Sequence, residues 1–272
     1  MSPQSVALVA LLTLCLSACA ESVDSATTPL PAATSEPASS AERVDQASAA
    51  VATPALRLAQ PLDSSGVARL VDGDRSIEVR IPECTEASPD ECIGPASVTW
   101  SASASAPAGS VQLTSMRWSE GDSLFSGALA EGHGATGYSV ISSDIDGDGV
   151  VEFLFLTGRD GGYGGPSYTI YRWTQEQHAW AESAALSELT VGSTGVFSTN
   201  GKGDAAVWFA DGCCRRIGER YTIHDGAPQL FERRTETLAE GQDTEVEVTT
   251  ETFKDGKVIS SKVEMESREG AK

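Results

Sequence analysis

From residue 76 to residue 265 the chain alternates short apolar runs with polar turns: SIEVRI, ASVTW, SVQLTSM, GYSVIS, VEFLFL, SYTIYRW, DAAVWFA, ERYTIH, EVEVTTETF and KVISSKVEM. The runs are rich in β-branched and aromatic residues, and in several of them apolar and polar positions alternate with period two, the mark of a half-buried strand. Turn signals separate them, among them Asp72-Gly73, Asp225-Gly226 and Asp255-Gly256. Only EQHAWAESAALSEL can hold a helical turn or two. The pattern predicts an all-β, mainly antiparallel domain, either a sandwich or an irregular barrel-like or propeller-like array of sheets. A short echo adds detail. SYTIYRWTQEQHAW from Ser167 and RYTIHDGAPQLF from Arg220 both read strand, turn, strand, which predicts two similar hairpins. The acidic C-terminal stretch predicts a last hairpin around Asp255-Gly256.

The N-terminal part does not follow this pattern. Residues from Val6 to Leu16 form an uncharged apolar run that is too short to span a bilayer and stops at small residues, as a cleavable export signal does. After Cys19 the chain is Ala, Ser, Thr, Pro and Glu without an aromatic residue. Such a composition buries too little surface to offset its ordering entropy, so it reads as a disordered, flexible tether. The chain therefore divides into a signal peptide (residues 1–18), a tether (19–61) and one β-rich domain (62–272). The residues Leu16-Ser17-Ala18-Cys19 resemble the lipobox of bacterial lipoproteins. The resemblance implies that Cys19 becomes the acylated N-terminus and that its lipid chains anchor the protein to a membrane. No Lys or Arg precedes the apolar run, so only the α-amine supplies the usual positive start. Ala20 stands where an aspartate would signal inner-membrane retention, so the resemblance implies a periplasmic domain on the outer membrane.

A formal charge of −20, none of it from the signal segment, repels nucleic acid and anionic lipid surfaces and attracts a basic protein or a cation. Four cysteines remain beyond Cys19, and an oxidising periplasm favours their pairing. Three connectivities are open for Cys84, Cys92, Cys213 and Cys214. A local Cys84–Cys92 bond would close CTEASPDEC and contribute roughly 2.6 kcal/mol through chain entropy. It would leave Cys213 and Cys214 to each other or reduced, whereas crossed pairings would staple the N-terminal part to the DGCCRR loop; the local pairing is preferred. None of the four has zinc-ligand spacing, and His133, His178 and His224 are scattered.

The segment SDIDGDGVVEFLF carries Asp144, Asp146 and Asp148 at spacing two, with Gly147 and Gly149 letting the backbone curl between them. Such a loop offers a hard cation oxygens from positions one, three and five, the carbonyl of Val150 at seven and the carboxylate of Glu152 at nine. An EF-hand would need Glu at position twelve, where Phe155 stands, and a strand follows where a helix should. The loop resembles the shorter Asp-x-Asp-Gly-Asp-Gly-x-x-Asp/Glu turns of FG-GAP and VCBS-type β-repeat proteins, which implies a structural calcium ion.

The next turn, TGRDGGYGGPSYTIYRW, surrounds Tyr163 with glycines and has no phosphate-loop Gly-Lys-Ser/Thr. A tyrosine on a glycine-rich tip suits a concave partner site; the other reading is a loose exposed turn. The lipobox, the tether, DIDGDGVVEFLFLTG, GGYGGPSYTIYRW and DGCCRRIGERYTIHDG together resemble periplasmic lipoprotein immunity proteins. These protect bacteria against lysozyme-like effectors of antibacterial type IV secretion systems, and resemble the wider periplasmic lysozyme inhibitors. The resemblance implies a lysozyme-like peptidoglycan hydrolase as partner, inhibited by a loop inserted in its cleft. The candidate contact residues are Arg159, Asp160, Gly162, Tyr163 and Gly164. The inhibitors' Ser-Gly-x-x-Tyr motif is absent, Asp160-Gly161-Gly162-Tyr163 being the nearest segment, so which loop inhibits stays open. A calcium-stabilised structural or adhesive lipoprotein is the alternative. No nucleophile elbow, His-Glu-x-x-His helix or placed Cys-His pair points to an enzyme, although carboxylates are plentiful enough for a glycosidase pair.

Replacing Cys19 by Ser is expected to move the protein from the membrane to the soluble fraction of lysed cells. Retention on the membrane would remove the lipid anchor from the reading.

Overall fold

The computed structural model describes residues 62–267 apart from 89–90, 120–122, 128, 130–136, 161–164 and 239–244. The export signal, the tether and Cys19 lie outside the described residues.

The fold is all-β, and the described residues form three open sheets and one short helix. The first sheet contains β1 (Val67–Asp72), β2 (Arg75–Arg80), β3 (Glu86–Ser88), β4 (Glu91–Trp100) and β5 (Gly109–Ser119). One edge of β4 pairs with β5, and its other edge pairs with β2 at the C-terminal end and with β3 at the N-terminal end. The second sheet runs in the order β10-β9-β8-β7-β6. Its strands are β6 (Leu124–Ser126), β7 (Val140–Ser143), β8 (Glu152–Asp160), β9 (Gly165–Thr174) and β10 (Ala179–Glu182). Only β6 and β7 are parallel. After the helix α1 (Ala184–Thr190) comes a six-stranded antiparallel meander: β11 (Ser193–Thr199), β12 (Asp204–Ala210), β13 (Arg215–His224), β14 (Ala227–Leu238), β15 (Glu245–Lys254) and β16 (Lys257–Ser267).

Every apolar run picked out above overlaps a strand, GYSVIS only by its second half, and the echo segments are the hairpins β9–β10 and β13–β14. At Asp225-Gly226 and Asp255-Gly256 both residues have φ between 51° and 72°, the left-handed pair a two-residue hairpin turn requires. The predicted helical segment shrinks to α1, because its QHAW part is used by the β9–β10 turn and by β10. Strands β1, β3, β6 and β11 are too short or too polar to stand out by periodicity. β14 continues well past Phe231 through ERRTETL, where charges replace the apolar face.

The core is divided by β8. Phe153 and Phe155 point into a cluster with Trp100, Met116, Trp118 and the apolar face of the first sheet. Leu154 and Leu156 point the other way, into a cluster with Ile141, Ile145, Tyr168, Ile170, Leu186 of α1 and Val207 and Ile223 of the third sheet. A strand buried on both faces must be apolar without interruption, and FLFL meets that demand. Phe153 is the centre of an aromatic group, its ring 4.4 Å from Trp100 and 5.3 Å from Trp180. The buried Arg75 guanidinium covers Phe153 at 5.0 Å. It is held there by Ser142, Ser103 and Ser105, which accept its hydrogen bonds, and by Asp72 at 3.2 Å.

The far side of the third sheet is organised differently. β16 is exposed along almost its whole length, and β13, β14 and β15 are mostly half-buried. Cross-strand pairs hold it: Arg233 to Glu219 and Arg234 to Glu266, each at 2.7 Å, with the Arg216, Arg220 and Arg233 guanidiniums over Trp208, Phe231 and Phe253. The disulfide is local, Cys84–Cys92, with Cα atoms 5.3 Å apart.

Phe153→Ala is expected to lower unfolding free energy by about 3–5 kcal/mol, the usual cost of an emptied aromatic site. Urea titration of the variant checks this, and a loss below about 1 kcal/mol would show that β8 is not the core's centre.

Candidate cation-binding loop

Strand β7 ends at Ser143 and β8 begins at Glu152, and the residues between them form the acidic loop. The loop closes on itself. Gly147 and Gly149 donate their N–H groups to the two carboxylate oxygens of Asp144, at 2.8 and 3.1 Å. The N–H of Asp148 reaches Asp146 Oδ1 at 3.2 Å, and that of Val150 reaches Asp148 Oδ1 at 2.7 Å. Gly147 has φ of +77°, and a Cβ there would sit 2.7 Å from the Lys202 carbonyl carbon, so only glycine lets the loop lie against the β11–β12 turn.

Three carboxyl groups converge. Asp144, Asp146 and Glu152 each place an oxygen within 4.8 Å of the other two. Asp148 is exposed and stands outside this group, and Val150 contributes its amide to the loop's own bonding. Glu152 is buried, 1 % exposed, and accepts a hydrogen bond from Ile145 N–H at 2.7 Å. Burial, and then the charge of Asp146, push its carboxyl up to about 9 despite that donor. Burial and the neighbouring Asp148 raise Asp146 as well. Loss of hydration is the larger cause, and like-charge repulsion adds to it: two unit charges 4 Å apart repel by about 4 kcal/mol at an effective dielectric of 20. Without a counterion, Glu152 holds a proton at neutral pH.

Two further groups bear on this site. Ser143, directly opposite Glu152 in the β7–β8 register, has a buried hydroxyl without a hydrogen-bond partner. Arg172 of β9 reaches Asp146 at 3.7 Å while donating to the carbonyl of Asp225. Arg172 lies 26 positions from Asp146, and only the β8–β9 register brings it there, so spacing along the chain carries no sign of it. The donor set suits a hard divalent cation: oxygens only, convergent, with net negative charge and one proton to displace.

The candidate contact residues lie elsewhere. Arg159 and Asp160 end β8, and Asp160 pairs with Gly165 of β9 across the turn. Arg159 is exposed and only 3.9 Å from Glu91, a weak tie. Gly162, Tyr163 and Gly164 lie outside the described residues. At about 3.3 Å per residue, the seven steps along β8 from Glu152 to Arg159 set the two about 23 Å apart. A cation at the acidic loop therefore does not touch Arg159. Cys213 and Cys214 are exposed and not bonded to Cys84 or Cys92.

In chelator-treated protein, Glu152 favours the folded state fully below the ordinary carboxyl value of 4.5, and that contribution is lost progressively as pH rises toward about 9. The melting temperature is expected to fall over that interval, and Glu152→Gln to flatten the fall. Calcium at a hundredfold excess over Kd is expected to add about 2.7 kcal/mol of stability to the parent protein and far less to Asp144→Asn. Melts in calcium and in chelator that coincide would dismiss the cation site.

No protein-family profile matches the chain, and no curated protein matches it. Among solved structures it is similar to "Structure of a Xanthomonas Type IV Secretion System related protein", at 24 % identity and a TM-score of 0.66, over 78 % of this chain and 97 % of that chain. At that identity the likeness is one of fold: nearly the whole neighbour is built on the same plan.

Proposed function

We propose that this protein is a periplasmic, lipid-anchored binding protein that inhibits a lysozyme-like peptidoglycan hydrolase, as an immunity protein against an effector of a type IV secretion system. The observation that carries the reading is the shared fold with a Xanthomonas protein described as type IV secretion system related. The lipobox residues through Cys19 and the motifs of the β7–β9 region support it. Among the described residues no helix is long and apolar enough to cross a membrane; the proposed anchor is the lipid on Cys19.

The chemistry is consistent with a protein partner. Peptidoglycan-cleaving enzymes are commonly basic, and a chain of charge −20 steers toward such a surface from a distance. In this reading Arg159, exposed at the end of β8, would donate charge-assisted hydrogen bonds to a carboxylate of the partner, and the uncharged Tyr163 would enter its groove. Asp144, Asp146 and Glu152 would hold a structural calcium ion, which would tie the β7–β8 loop to the start of β8. In this scheme the ion stiffens one end of β8 and the other end meets the partner, and no residue is assigned a role in bond cleavage.

The test is inhibition of peptidoglycan hydrolysis by the purified protein against a panel of lysozyme-like enzymes. Stoichiometric inhibition of at least one is expected, with Tyr163→Ala weakening it at least tenfold at unchanged melting temperature. Failure across the panel would overturn the inhibitor reading, and full inhibition by Tyr163→Ala would reassign the contact loop.

A further inference from the structure

The turn from β12 to β13 carries Cys213 and Cys214, the cysteines left over by the Cys84–Cys92 bond. Both are exposed, and their sulfur atoms lie 2.7 Å apart, nearer than two sulfurs rest without sharing a bond or a proton. The turn that presents them is tied at several points. Asp211 N–H donates to Arg215 O at 2.9 Å, the Asp211 and Arg215 side chains pair at 3.1 Å, and Leu238 N–H of β14 donates to Cys214 O at 2.9 Å. A cleft of about 180 Å³ opens beside the pair, lined by Arg215, Arg216, Glu236, Leu238 and Val246.

We propose that Cys213 and Cys214 are a thiol–disulfide exchange site that takes a second, vicinal disulfide from small disulfides. In the first step the thiolate of one cysteine attacks a sulfur of the donor RS–SR, forming a mixed disulfide and expelling RS⁻. The thiolate of the other then attacks the cysteine sulfur of that mixed disulfide, closing an eight-membered ring and expelling a second RS⁻. The two thiol protons end on the two leaving thiolates, so the protein loses two hydrogens and two electrons while RS–SR is reduced to two RSH. Arg215 and Arg216 flank the pair but are themselves paired, with Asp211 at 3.1 Å and Glu236 at 4.0 Å, and the contact with Cys213 holds the Cys214 thiol above its ordinary value, so the exchange needs mildly alkaline pH to supply the thiolate.

The two disulfides then differ in lability. Adjacent residues have Cα atoms about 3.8 Å apart, shorter than the roughly 4.4 Å lower limit of ordinary disulfides. The Cys84–Cys92 span of 5.3 Å falls inside the ordinary range. A bond forced into the shorter span is strained and easily reduced, the property of exchangeable rather than structural disulfides.

The experiment uses the purified full chain, excess oxidised glutathione, quenching with N-ethylmaleimide and mass analysis of the tryptic peptide 203–215, which contains both cysteines. The peptide is expected unalkylated and lighter by two hydrogens than the dithiol form. Titration with reduced glutathione is expected to open it at a reductant concentration at least tenfold below that which opens Cys84–Cys92. Cys214→Ser is expected to stop at the mixed disulfide, with one glutathione on Cys213. Two N-ethylmaleimide groups on the peptide after oxidised glutathione would overturn the proposal. So would a cross-link to a second chain, simultaneous opening of both disulfides, or no glutathione on Cys214→Ser.

Discussion

Strand β8 is buried on both faces, and the rest of the domain is arranged around that fact. Five consecutive residues from Glu152 to Leu156 are inaccessible, and because side chains alternate, Phe153 and Phe155 serve one core and Leu154 and Leu156 the other. Removing this strand would separate the first sheet from α1 and the third sheet. The same requirement explains Glu152. Its position at the start of β8 puts a carboxyl group where water cannot reach it, and a buried carboxyl must find a proton, a cation or a set of donors. Ile145 supplies one donor and Asp146 makes matters worse, so a proton or a cation completes the site.

The two ends of β8 then divide the molecule's chemistry. At its start the acidic loop is clamped between Arg172 of β9 and the backbone of the β11–β12 turn, where Gly203 approaches the Asp146 carbonyl too closely for a side chain. At its end lie the exposed Arg159 and the turn to β9. Stiffening one end bears on the other only through the strand itself. A rigid strand is a sound base for a contact loop, since the ordering entropy of its roots is lost at folding rather than at binding.

Charge does two kinds of work in this protein. Inside, Arg75 is held by three serines and Asp72 and stacked on Phe153, so a cation becomes part of the aromatic core. Outside, β13–β16 have little to bury, and ladders of arginine with glutamate and with aromatic rings take the place of a second apolar layer. Exposed pairs of this kind contribute little singly, and the sheet depends on their repetition and on its continuity with the buried part of β12 and β13.

How much of this was legible from the chain alone follows from the range of each interaction. Period-two alternation and Asp-Gly turns are local, so the apolar strands, the hairpins at Asp225 and Asp255 and the all-β class could be read directly. The acidic loop was legible for the same reason, since Asp144, Asp146 and Glu152 lie within nine positions. The part of β14 beyond Phe231 does not show in the sequence because its faces are matched by charge rather than burial, and the helical segment shortens to α1 because QHAW belongs to the β9–β10 turn and β10. What the tertiary structure alone decided is pairwise and distant: the arrival of Arg172 at Asp146 and of Arg75 over Phe153. Each depends on sheet register or layer packing, which bring together residues whose separation along the chain carries no trace of their contact.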